Sequence, residues 1–153
     1  MENDTTSQQA ESLLTLLVQR VDADRVDLIN RYQRILRESL FSSRADLRPS
    51  MLKQIAADEV EALLHFLRRS GFSSVERGEQ LHVAGFNAGA ILRLSQVTRL
   101  FLLNHLEDHQ IVPMLDLVHD YQEAVILGFV KSLENNLLME VERTRRAVQR
   151  GDI

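Results

Sequence analysis

The sequence predicts an all-α domain of six helices, the last of them long enough to project from the rest. Three observations carry this. Apolar residues recur at spacings of three and four along most of the chain. No segment shows sustained period-two alternation bounded by hairpin turns. Only two prolines and six glycines occur in 153 residues, which leaves little punctuation for a many-stranded fold.

In chain order, residues 1–8 read as a disordered leader. A short helix over Gln9 to Arg20 carries Leu13, Leu14, Leu16, Leu17 and Val18 on a broad apolar face. Asp22 or Asp24 can cap the second helix, since a short carboxylate accepts the free N–H groups of a first turn. That helix runs to about Phe41 with Val26, Ile29, Tyr32 (or Gln33), Leu36 and Leu40 inward. Ser42 to Ser50 reads as a loop containing Pro49. The third helix covers roughly Ser50 to Arg69 and is stopped by Gly71, where a left-handed residue is wanted. Ser73-Ser74-Val75-Glu76 has capping-box spacing and starts a short fourth helix that Gly85 ends. Asn87 can cap the fifth, from Ala88 to about Glu107, and His105 to Gln110 reads as a turn.

The sixth helix is the longest. Between Pro113 and Gly151 there is one glycine, Gly128, and no proline. Pro113 suits a first turn and Gly151 the residue just past the end. Such a helix is roughly 55–60 Å long at about 1.5 Å per residue. A domain of this size is about 30 Å across, so one end is expected to project. The division expected is a leader over 1–8, a helical core over 9–133 and a projecting part over 134–153.

Composition narrows the function classes. With no cysteine there is no disulfide framework, thiolate nucleophile or thiolate-held metal. Glu2 to Gln9 is polar, without the basic and apolar regions of a signal peptide, and no run approaches a membrane span. A net charge of −4 argues against nucleic acid as the main partner. These features fit a cytoplasmic protein.

No nucleophile–base–orienter set emerges, so no catalytic residue is assigned and no enzyme is expected. Asp58 and Glu59 are adjacent and point to different faces of their helix; with Glu61 they read as a solvated surface. His105 and His109 stand four apart but span an expected helix end, so no metal site is assigned to them or to His119 and Asp120. Arg143, Arg145, Arg146 and Arg150 complement the C-terminal end of a helix dipole. Gly128 costs its helix about 1 kcal/mol against alanine, which a close crossing would offset, within the domain or across a dimer. Beyond Leu133 the apolar positions become Leu137, Val141, Thr144 and Val148, at spacings of four, three and four. That is an a/d seam, which suggests a two-stranded pairing in a parallel homodimer.

The stretch from Arg77 to Leu92, Arg-Gly-Glu-Gln-Leu-His-Val-Ala-Gly-Phe-Asn-Ala-Gly-Ala-Ile-Leu, resembles the corner between two late helices of a sensor globin. The helix order is similar to that family throughout. Ile29 to Glu38 resembles the early helix of RsbR-type N-terminal domains, the non-haem globin-like sensors of bacterial stressosome proteins and some sensor kinases. The resemblance spans residues 10–150. It implies a globin-like fold and a dimeric signal-input domain whose last helix leads to an output module of STAS, histidine kinase or cyclase type, fused or on a partner. It also raises a haem alternative, a gas or redox sensor in which His82 ligates iron and Tyr32 faces the distal side. A pocket between helices two, three and five would then hold the ligand. Against haem, His82 stands one residue closer to Gly85 than in haem-binding relatives. A half-buried histidine at a helix C-terminus accounts for it otherwise.

Overall fold

A computed structural model describes residues 2–40, 47–70 and 73–151. Among these residues the chain forms six helices and no strand: α1 (Glu2–Ala23), α2 (Arg25–Ser39), α3 (Pro49–Leu67), α4 (Ser74–Val83), α5 (Ala88–Leu103) and α6 (Asp108–Arg150). The expected all-α architecture is present, and the helix boundaries differ in ways that local chemistry explains.

Helix α1 reaches back to Glu2, where a disordered leader was expected. Only its second half packs inward, through Leu13, Leu17 and Val21 at intervals of four. Asp24 stands at the N-cap of α2 without capping it. Its carboxylate instead pairs with Arg20 at 2.5 Å, and Asp22 pairs with Arg68 at 2.8 Å. The inward face of α2 is Leu28, Tyr32, Leu36 and Ser39, which leaves Val26 outside.

Pro49 is the first residue of α3 rather than part of a loop, a position where its missing N–H leaves nothing unpaired. Arg69, at φ 52°, takes the left-handed position at the end of α3. Ser70 N–H donates to His65 O at 3.0 Å and Arg69 N–H to Phe66 O at 3.1 Å, closing the last turn. Gly71, the expected stop, lies outside the described residues. Ser73 occupies the N-cap of α4 without a side-chain cap, so the expected capping box is not formed. The other end of α4 follows expectation: Gly85 is left-handed at φ 95°, with Phe86 N–H donating to Leu81 O at 3.1 Å. Asn87 caps α5, its side chain accepting from Ala90 N–H at 3.0 Å.

Helix α6 starts five residues before Pro113, because Glu107 and Gln110 form a reciprocal capping box that Pro113 does not provide. It therefore contains 43 residues, about 65 Å at the usual rise. His105 sits in the preceding connection at φ 71°. Buried residues on α6 end with Gly128 and Phe129. Beyond the half-buried Ser132, every described residue of the helix is exposed except Ala147, which is half-buried.

Candidate functional site

Two places combine special residues with special geometry: the crossing of α4 and α6, and the free half of α6. The crossing is the most extensive contact between any two helices. It brings backbone against backbone at two reciprocal points. A Cβ added to Gly78 on α4 would lie 1.8 Å from Val125 O on α6, and one added to Gly128 on α6 would lie 1.8 Å from Val75 O on α4. Real Cβ contacts stay above 3.0 Å, so each glycine is required by the other helix.

Beside this crossing lies a buried ion pair that the sequence does not announce. Arg77 Nε donates to Glu59 Oε2 at 2.7 Å, with each side chain 4% exposed. Tyr121 donates its hydroxyl to Glu59 Oε1 at 2.8 Å, and Arg77 also donates to Ile55 O at 3.0 Å. Glu59 thus joins α3, α4 and α6 and does not belong to a solvated surface. The signal was present in its spacing: Glu59 stands seven residues after Leu52 and four before Leu63, on the apolar stripe of α3. Burial works against charge on Arg77, but the adjacent Glu59 carboxylate outweighs it and holds the guanidinium above its ordinary value. Burial, reinforced by the Glu59 charge, pushes the Tyr121 hydroxyl well up, so it remains a neutral donor. Such an arrangement fixes three helices.

Tyr32 and His82 are not brought together. Tyr32 is fully buried on α2, and its hydroxyl bonds Thr98 Oγ1 on α5, which donates to Leu94 O at 2.9 Å. Burial raises its pKa in turn. His82 faces α6. Its Nδ1 lies 2.7 Å from Ser132 Oγ, and its ring meets Phe129 edge-on at 5.1 Å. A small cavity lined by Glu59, Leu81, Ser95, Tyr121 and Gln122, among others, has about 10 Å³ of room for a water's centre. That holds one water at most, whereas a cofactor site needs several hundred cubic ångströms. A groove of about 360 Å³ between α2 and α5 is lined by Asp27, Arg31 and Arg34 but reaches neither residue. Tyr32 and His82 therefore share no pocket in this arrangement. His82 ties the end of α4 to the turn where α6 leaves the body.

The other histidines lie apart: His109 is beside Glu107 at 3.3 Å and His119 beside Glu123 at 3.9 Å, both on the surface. Among the described residues no group of three acidic or histidine side chains converges as metal ligands would. Among the described residues no helix is long and apolar enough to cross a membrane.

On the free half of α6, Leu137 is 54% exposed, Val141 67% and Val148 59%, with Thr144 also exposed. Gly128 does not belong with these four. It stands nine residues before Leu137, half a turn around the helix, and faces α4. No protein-family model, curated protein or solved structure matches this chain.

Proposed function

We propose that this chain is the signal-input domain of a bacterial signalling protein, of the non-haem globin-like sensor type. It acts in the cytoplasm as a homodimer and carries out no catalysis of its own. Its last helix hands the signal to an output module of STAS, histidine kinase or cyclase type. The observation that carries this reading is the division of α6: one uninterrupted helix is held in the core through Phe129 and then continues for more than twenty residues with apolar side chains exposed. A helix gripped by a body at one end and free at the other transmits a shift or rotation of the body as a shift or rotation of its tip. Pairing would take the exposed leucine and valine along that tip out of water.

The test is the mass of the purified chain at micromolar concentration by sedimentation. A dimer is expected. Leu137→Asp with Val141→Asp should give a monomer whose body melts as before. A monomeric parent chain would overturn the reading. A histidine kinase module fused after α6 should then change activity with the helical phase of residues inserted at the junction.

A further inference from the structure

The exposed apolar positions on α6 begin before the free half and keep to a different period from a simple heptad seam. Ile126, half-buried, and the exposed Val130, Leu133, Leu137, Val141, Thr144 and Val148 follow one another at spacings of four, three, four, four, three and four. Two successive fours, on either side of Leu137, break the heptad alternation. The positions repeat instead every eleven residues: Ile126, Leu137 and Val148; Val130 and Val141; Leu133 and Thr144. Leu127 and Leu138, both exposed, are also eleven apart. Eleven residues in three turns is 3.67 per turn, slightly more than the 3.6 of a straight helix, and a stripe of that period stays on one face with only slight, right-handed winding. At the usual rise it extends about 33 Å from Ile126 to Val148, so it begins on the body and continues along the free helix.

Charged residues beside the stripe specify what covers it. Glu140 borders one edge of the stripe and Arg145, five residues on, borders the other. Neither forms an ion pair with another described residue, although Glu142 and Arg146 pair within the helix at 3.1 Å. Five residues across opposite flanks is the offset at which side chains of two parallel, in-register helices meet across their seam. In an antiparallel pair like flanks meet, so Glu140 and Arg145 are kept apart. A left-handed heptad continued from Val130, Leu133 and Leu137 would place Glu140 and Ala147 in the seam, burying a carboxylate without a partner.

We propose that the Ile126–Val148 face is a two-fold interface with a second copy of this chain. The two helices are parallel and in register, nearly straight in their winding, and Glu140 of each copy meets Arg145 of the other. This rests on the dimeric reading above and adds the register and the winding to it.

Because the chain has no cysteine, single cysteines report the register without background. Cysteines placed singly at Leu133, Glu134, Leu137, Met139, Glu140, Val141, Ala147 and Val148 would be oxidised and the disulfide-linked dimer measured. Efficient cross-linking is expected at 133, 137, 141 and 148, and at most a tenth as much at 134, 139, 140 and 147. Strong linking at 140 and 147 with little at 141 and 148, or at 134 with little at 133, would replace the eleven-residue period with a heptad. Linking at one site near the middle only would make the pair antiparallel. Either pattern in a chain that sediments as a dimer overturns this proposal and leaves the sensor reading standing; a monomer overturns both. Glu140→Arg and Arg145→Glu should each raise the dimer Kd about tenfold, through two symmetric pairs turned repulsive. Combining them should restore it; no restoration overturns the assigned pair.

Discussion

Both halves of α6 carry apolar residues at helical spacing and are used in opposite ways. From Met114 to Phe129, large side chains face the core and Gly128 lets α4 approach to backbone contact. From Leu133 to Val148, leucine and valine stand in solvent, on a face about half a turn from the one Gly128 presents. One half is anchored by shape and by a buried charge; the other presents a straight apolar stripe with a charged border. Apolar content alone therefore says little about a helix. What separates an anchor from a docking face is whether glycine and buried polar groups of other helices converge on it.

The anchor is where substitution should act most strongly. Arg77→Met leaves the Glu59 carboxylate buried with only Tyr121 as partner, and should lower stability by about 3–5 kcal/mol in denaturant unfolding. Replacing both partners by apolar residues should recover most of that loss. A loss below about 1 kcal/mol for the single variant would mean that the pair does not clamp the three helices.

Alkaline titration probes the same anchor without mutation. Tyr32 and Tyr121 are the only tyrosines in the chain. Both have folded-state pKa values raised by burial. A raised pKa contributes stability in full below the unfolded value of about 10, and that stability is lost as pH climbs toward the folded value. Each buried hydroxyl gives a loss of about 1.4 kcal/mol per pH unit, so roughly 2.7 for the two. Tyrosinate absorbance should accordingly rise only together with loss of helical circular dichroism. A tyrosinate signal near pH 10 from folded protein would show that one of the rings is reached by water.

Gly128→Ala should cost about 2–3 kcal/mol, because Val75 O lies where the Cβ would go and the gain in helix propensity is only about 1 kcal/mol. His82→Ala should cost about 1 kcal/mol through loss of the Ser132 hydrogen bond and the edge contact with Phe129. At the other extreme, Leu137→Asp should change the body's stability by under about 0.5 kcal/mol in a monomer while weakening the dimer. A large loss of monomer stability at Leu137 would erase the contrast between the halves.

Much of this was legible in the chain. The 3.6-residue rhythm gives six helices; Gly85, Asn87 and Gly151 mark ends where the backbone needs a left-handed turn or a cap, and they do so in the structure. The apolar spacing from Leu137 to Val148 is also in the sequence, and the structure leaves those residues exposed; their pairing with a second copy is the proposal above. Three things were decided by tertiary contact. Glu59 lies on the apolar stripe of α3, but nothing local names Arg77 and Tyr121, which arrive from α4 and α6 to pair with it and hydrogen-bond it. Tyr32 and His82 share no pocket because each finds a nearer partner, Thr98 and Ser132, on a different helix. Gly128 is a lone weak point in a helix until Val75 is placed against it. In each case the residue's role depends on a group at least eighteen positions away in sequence, and no local pattern encodes which distant group that will be.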